Sequence, residues 1–275
     1  MRKHILRSVL LYMTIAIVIM IIVFPYYWMI KESIDRGSIF KFPPDLWPRK
    51  MSLESYKSII DERPLLQWFG NTLVVALLTT AITLAAALLS GYSLSRFRNR
   101  TNRAIGFIFL STQMLPATLL VIPMFVIFRS LNMVDNLFSL VLANTAFALP
   151  MGLWMMKGFI DGIPREIDEA GRIDGCNRMQ ILVKLIIPLV APGMVAVAVF
   201  AFILAWGDFF FARNLISSQS KWLVSVGLSS FVGEYSIQWD QMLSASVMFS
   251  LPPVLFYLFF EKYLVRGLTM GAVKE

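Results

Sequence analysis

Charge is scarce in this chain: Asp, Glu, Lys and Arg make up only 15% of its 275 residues, against roughly a quarter in soluble domains. That scarcity excludes an ordinary water-soluble core and a disordered tail-like protein. Cysteine is limited to Cys176, which excludes an internal disulfide and any cysteine-cluster metal site. The one histidine, His4, stands at the extreme N-terminus. With no base beside a nucleophile and no carboxylate pair inside an apolar segment, an intramembrane hydrolase has nothing to work with. Ionisable residues are also nearly absent from the long apolar stretches, which argues against an ion-coupled secondary transporter or a selective channel, the rivals that hydropathy alone would allow.

What remains is apolar. Hydrophobic residues account for 57% of the chain and the mean hydropathy is +0.69. Six charge-free runs, Ser8 to Ile30, Pro64 to Ser95, Ala104 to Phe128, Asn136 to Met156, Leu185 to Gly207 and Gln241 to Phe260, each supply the about 20 residues a helix needs to cross a ~30 Å hydrocarbon layer. The predicted fold is all-α, a single membrane domain over residues 1–275 with spans near 8–30, 72–95, 104–128, 136–156, 186–207 and 241–261. Continuous runs disfavour a barrel, whose strands alternate. The stretch before Thr72, with Pro64, Gln67, Trp68, Gly70 and Asn71, reads as an interfacial approach. The first run follows Arg2, Lys3 and Arg7 but ends in Tyr26, Tyr27 and Trp28 without a cleavage site, so it reads as a retained span and not a signal peptide.

Six spans place both termini on one side, and that side carries 15 of the 25 Lys and Arg, in short connections. The positive-inside rule puts the termini in the cytoplasm, in the inner (plasma) membrane of a prokaryote. The basic excess there suits anionic lipid; nucleic acid is not an expected partner, since no soluble domain presents such a surface. On the outer side, the proline- and aromatic-containing loop over residues 31–69 is expected to be ordered against the membrane, and the segment 213–240 to be anchored at the interface by Trp222 and Trp239. Kinks or breaks are expected at Pro116, Pro123, Pro150, Pro188, Pro192, Pro252 and Pro253.

One cytoplasmic connection, residues 157–184, is long enough to fold by itself. Pro164 suits a first helical turn, Glu166, Asp168 and Glu169 suit a helix N-terminus, and Gly175 suits a closing residue with positive φ. Asn177 is placed to cap a second helix leading into the fifth span. Ile163, Ile167 and Ala170 give the first helix a short apolar face. Such a pattern fits equally a solvated helix lying on headgroups.

The wording of the loop separates these readings. Glu169-Ala170-Gly171-Arg172-Ile173-Asp174-Gly175-Cys176, with Pro188 following, closely resembles the EAA loop of ABC importer permeases, and Ile163-Pro164-Arg165-Glu166 before it resembles the carbohydrate, MalG-like branch. Gly171 stands where a second Ala is commoner and Cys176 where Ala is; both are small. The similarity extends along the chain: Pro25-Tyr26-Tyr27-Trp28-Met29, Gly70-Asn71-Thr72-Leu73, Gly91-Tyr92-Ser93-Leu94-Ser95-Arg96-Phe97, Trp206-Gly207-Asp208-Phe209, and the tail from Tyr263 to Lys274.

The resemblance implies a type I importer permease fold and a transport subunit that is not itself an enzyme. Its expected partners are a cytoplasmic ATPase dimer, a second and different permease, an extracytoplasmic solute-binding protein and the bilayer. No Gly-x-x-x-x-Gly-Lys-Ser/Thr phosphate loop occurs, so ATP and Mg are left to the partner ATPase and no cofactor is expected on this chain. The EAA helix would couple the two, with Ile167, Glu169, Ala170, Gly171, Arg172, Asp174 and Gly175 as the coupling residues. Asp174 fits either a partner contact or a cap for the following helix. Asn71, Gln113 and Asn144 are candidates for the solute pathway, or equally for bonds between helices. Trp206 offers a face for a sugar ring, and Asp208 fits a gate, a binding-protein contact or simple interfacial solvation. A sugar or oligosaccharide is the expected cargo; a non-sugar solute within the same superfamily is the alternative.

Overall fold

The computed structural model describes residues 2–35, 42–97, 99–233 and 237–272, with side chains described between 7 and 263 of those ranges. Arg98, Val273 and Lys274, and parts of the loops over 31–69 and 213–240, lie outside the described residues. The side chains of Arg2, Lys3, His4 and Arg266 lie outside them as well. The chain is helical: α1 (Arg2–Ile34), α2 (Glu54–Glu62), α3 (Leu65–Arg96), α4 (Arg100–Thr112), α5 (Ala117–Ser130), α6 (Leu137–Asp161), α7 (Glu166–Ile173), α8 (Arg178–Ile181), α9 (Ile187–Trp206), α10 (Phe210–Leu215), α11 (Val224–Ser229) and α12 (Trp239–Ala272). Among the described residues no strand forms, only two isolated bridges.

Five helical stretches, Arg7–Ile34, Leu65–Arg96, Leu137–Asp161, Arg178–Trp206 and Trp239–Tyr263, are long and apolar enough to cross a membrane. The third expected span is different. Ala104 to Phe128 is not one helix but the pair α4 and α5, bent by 105°. Pro116 is the cause: it lacks an amide to continue the ladder and drives Leu115 out of the helical region, and it stands as the N-terminal cap of α5. At the break Gln113 donates its side-chain amide to the Phe147 carbonyl at 3.1 Å. Pro188 acts more gently. The five residues before Ile187, Leu182–Ile186, widen into a π turn, with the Ile187 amide reaching the Leu182 carbonyl; the wide turn accommodates a proline that cannot bond back to the preceding turn. α8, the π turn and α9 therefore run as one rod. A second boundary also moves, since α3 starts at Leu65 and the expected interfacial approach to Thr72 is helix.

The described residues form two compact units, Met1–Leu65 with Leu228–Leu251, and Leu66–Gly227 with Pro252–Glu275. In the first, the end of α1 is fixed by charge. Lys31, 2% exposed, lies 3.1 Å from both Glu32 and Asp35, and Asp35 accepts the Arg49 and Lys50 amides at 3.1 Å each. Ser33 shares a 2.7 Å hydrogen bond with Tyr56 of α2. These contacts join the end of α1 to the described residues 49, 50 and 56 of the loop that follows it. Burial pushes the Asp35 carboxyl up, but the Lys50 and Arg49 amides and Lys31 outweigh it and leave it below the usual range.

In the second unit α6 packs along α9, burying Leu140, Ala148, Leu153, Met156 and Ile160 of α6 and Val190, Val197, Ala201 and Ala205 of α9. Close approach depends on small residues. A Cβ on Gly193 would lie 2.4 Å from the Phe159 ring. Gly152 sits between Thr83 of α3 and Val197 of α9, where a Cβ would meet side-chain carbons at 3.2–3.3 Å. Small residues at helix contacts are how membrane bundles gain dispersion energy without a hydrophobic effect between helices.

Candidate functional site

The loop between α6 and α9 folds as its local sequence requires. α7 carries Glu166, Asp168 and Glu169 in its first turn, favourable at the positive end of the helix dipole. It ends in a Schellman turn: the Cys176 amide donates to the Gly171 carbonyl at 2.9 Å and the Gly175 amide to Arg172 at 3.0 Å, with Gly175 at φ +80°, a conformation glycine adopts freely. Asn177 and Gln180 then form a reciprocal capping box at 2.9 and 2.8 Å, closing the amides that open α8. Asp174 is not that cap. It ends α7 through its backbone, and its carboxylate takes no hydrogen bond or ion pair from any described residue.

The apolar stripe of Ile163, Ile167 and Ala170 is not the face that α7 buries. Its buried residues are Asp168 and Gly171. Asp168, 4% exposed, accepts the Tyr92 hydroxyl at 2.9 Å and lies 2.9 Å from Nε of Arg96. The latter contact is off-axis, an ion pair more than an aligned hydrogen bond. Tyr92 and Arg96 stand one turn apart on α3, so both face the same point on α7. The guanidinium continues to the Ile163 carbonyl at 3.2 Å, Arg165 returns to the Ser95 carbonyl at 3.1 Å, and Ser95 donates to Asp161 at 2.6 Å, which also pairs with Lys157. Gly171 lets α7 sit on the rod, since a Cβ there would lie 2.8 Å from Leu185 and 3.1 Å from Ile181. Helix α7 is therefore fastened on one side to the end of α3 and on the other to α8 and the π turn.

Facing outward are Glu169, Ala170, Arg172, Asp174 and Gly175, all exposed, together with Ile173 at 87% exposure. Ile163 and Ile167 are half-buried and line an open groove of about 620 Å³ with Phe159, Leu189 and Pro192; Ala170 does not join them. Sequence reasoning missed Asp168 as an anchor and Ile173 as an exposed apolar residue. The signal for Asp168 was present as Tyr92 and Arg96, one turn apart where a span ends.

The candidates for the solute pathway are occupied otherwise. Asn71 donates to the Ser220 and Trp222 carbonyls at 2.9 and 3.0 Å. Asn144 donates to Leu140 at 3.0 Å and to Asp208 at 3.1 Å. Asp208 is buried, not interfacially solvated, and also accepts the Phe211 amide at 3.1 Å. Trp206 is 3% exposed, stacked on Phe202 at 5.5 Å and close to Phe69, so in this structure it presents no free face to a sugar. Of the two expected interfacial anchors, Trp222 and Trp239, both are half-buried; Trp222 packs on Trp68 of the α3 start, which is fully buried and donates to the Gln219 carbonyl at 2.9 Å.

At the other end of α6 lies a second carboxylate node. Asp135, held at φ 58°, accepts the Ser217 and Ser218 amides at 3.0 and 2.9 Å, the Ser218 hydroxyl at 2.7 Å and Lys221 Nζ at 2.8 Å. Lys221, then the Ser218 amide, hold its carboxyl well below the usual carboxylate range despite partial burial.

Residues 83–270 match the family described as the binding-protein-dependent transport system inner membrane component. The chain belongs to that family. As an ABC transporter permease it is a multi-pass inner membrane protein and not itself an enzyme. This permease is 32% identical over 275 residues to the inner membrane ABC transporter permease protein YcjP of Escherichia coli, covering 99% of this chain and 98% of that one. It is 32% identical to the trehalose/maltose transport system permease protein MalG of Thermococcus litoralis, covering 100% and 99%, and 31% identical to the sulfoquinovosyl glycerol transport system permease protein SmoH of Agrobacterium fabrum, covering 91% and 88%. A chain of a bacterial ABC transporter that imports alginate superposes with a TM-score of 0.82 at 23% identity, over 96% of this permease and 98% of that chain. A chain of the MetNI methionine transporter superposes at 0.59 and 19% identity, over 79% and 99%. The fold is that of the type I importer permeases.

Proposed function

We propose that this permease forms half of the translocation pathway for a sugar or oligosaccharide, delivered by an extracytoplasmic binding protein and moved by alternating access. Both termini and α7 lie in the cytoplasm, where the basic residues concentrate. A second, different permease completes the pathway, and two ATPase subunits, using ATP and Mg, receive α7. The relatives named for trehalose/maltose and sulfoquinovosyl glycerol transport support a sugar cargo.

One observation carries the coupling role: α7 is held by buried groups, while the side chains of its outer face take no partner among the described residues. Asp168 is clasped by Arg96 and Tyr92, and the Schellman turn and capping box leave no slack toward α8. Glu169, Ala170, Arg172, Ile173 and Asp174 are free to enter a cleft in the ATPase, with Ile173 as the apolar contact and Glu169 as a charged hydrogen-bond acceptor. Gly171 and Gly175 serve the close approach and the turn. When the ATPases close, a pull on α7 is delivered to α3 and to the α8–α9 rod together, as rigid-body transitions require. Glu169→Lys in the assembled importer should abolish uptake and transport-coupled ATP hydrolysis while leaving the chain inserted and folded; uptake at the wild-type rate would sink this role.

A further inference from the structure

Where α3 turns into α4, a cavity of about 340 Å³ opens on the side of the bundle that also carries α7. Its floor is apolar and aromatic, made by Leu94, Phe97, Phe107 and Trp154. Its charged rim is entirely cationic: Arg103 from the first turn of α4, and Lys157 from α6. Among the described residues no acid lines it; Asp161, one turn beyond Lys157 on α6, is paired with that lysine. Lys157 lies over the Trp154 ring at 5.6 Å, and Arg178 lies over Phe97 at 4.8 Å, which adds positive potential behind the rim. Arg103 is exposed and makes no ion pair or side-chain hydrogen bond with any described residue. Asn99 caps α4 by accepting the Asn102 amide at 2.7 Å, and the positive end of that 13-residue helix points at the same place.

An unpaired guanidinium, an ammonium and a helix N-terminus converging over an aromatic floor fit a phosphate monoanion attached to something apolar. The apolar part has a path: Ile105, Phe107 and Ile108 are exposed along α4 and lead away from the pocket. We propose that this pocket binds one anionic diacyl phospholipid, its phosphate between Arg103 and Lys157 and its acyl chains along α4. The chemistry is that of basic pockets between spans that take acidic headgroups. Assignment to the cytoplasmic leaflet rests on the orientation proposed above; the pocket itself does not.

The test uses the full chain, delipidated in neutral detergent and titrated with phosphatidylglycerol or phosphatidylcholine under native mass spectrometry. The wild type should retain phosphatidylglycerol on the order of tenfold more tightly than phosphatidylcholine. Arg103→Ala should weaken phosphatidylglycerol roughly fivefold or more, and Arg103→Lys should restore most of it. Since Arg103 is exposed and unpaired, its loss leaves the fold intact, which circular dichroism checks. Arg213→Ala, an exposed cation elsewhere, should change nothing. Equal retention of the two lipids, or no response to Arg103→Ala, overturns the proposal. So does displacement of the lipid by inorganic phosphate at a comparable concentration, which would assign the site to a free anion. None of these results bears on Glu169, so failure here leaves the coupling role standing.

Discussion

Two carboxylates, Asp168 and Asp135, tie segments together at opposite ends of α6, and they do so in different ways. Asp168 is buried and answers to two side chains from another helix, Tyr92 and Arg96. Asp135, with about a quarter of its side chain exposed, is wrapped by backbone amides, a hydroxyl and a lysine from a single loop, Ser217 to Lys221. The first joins two rigid rods, and a force on one reaches the other. The second shapes a loop at the surface, where water and salt compete for the same groups. A buried pair is all or nothing: removing one partner strands a charge, whereas a surface node loses its bonds one at a time.

The largest expected effect follows from that difference. Asp168→Ala strands the Arg96 guanidinium and should destabilise the α3–α7 junction by about 3–5 kcal/mol, read as a fall in the thermal midpoint of the purified chain. Replacing both partners, Asp168→Leu with Arg96→Met, should recover most of that loss, because well-packed apolar pairs often match buried ion pairs. A single Asp168→Ala with no change in midpoint would show that the clasp is not buried in the working protein.

Packing beside the clasp should respond next. Gly193→Ala would force a Cβ to 2.4 Å from the Phe159 ring and should cost about 1–3 kcal/mol, measured in the same melt. A smaller value would mean that α6 and α9 yield more easily than the rigid-rod picture allows.

Acid should separate the two nodes further. The Asp135 carboxyl is depressed in the folded chain, so its stabilisation is fully present above the unfolded pKa, about 3.9. It is lost as pH falls below that toward the folded value. Protection factors of the Ser217 and Ser218 amides, corrected for the pH dependence of intrinsic exchange, should fall below about pH 4 and be lower at all pH values in Asp135→Asn. Amides protected equally at pH 3 and pH 6 would remove the carboxylate from this role. The smallest effect on stability is expected from Glu169→Lys, within about 0.5 kcal/mol because the residue is an exposed surface site, even though uptake is lost.

Much of this was legible from the chain. Long charge-free runs mark spans because bilayer thickness sets helix length, and the turn at Gly175 and the cap at Asn177 follow from backbone needs met within a few residues. A kink or break at Pro116 was expected from the sequence; its size was not, a 105° bend that separates α4 from α5, since proline is tolerated in some spans with only a gentle kink. The clasp was hidden for a different reason. Asp168 looks like any acid in a first helical turn, and its partners, Tyr92 and Arg96, are more than seventy residues earlier in the chain. Asn71, Asn144, Asp208 and Trp206 looked like pathway residues because polar and aromatic groups in spans need partners. The structure supplies those partners from the protein itself.

The most direct test of the central claim, that α7 and α3 move as one body through Asp168, is the ratio of solute imported to ATP hydrolysed in the assembled importer carrying Asp168→Asn. That variant keeps the shape and an acceptor for Tyr92 but removes the ion pair. ATPase binding and hydrolysis should persist while the ratio collapses. A ratio equal to that of the wild type would show that the ion pair does not join the two helices in transport.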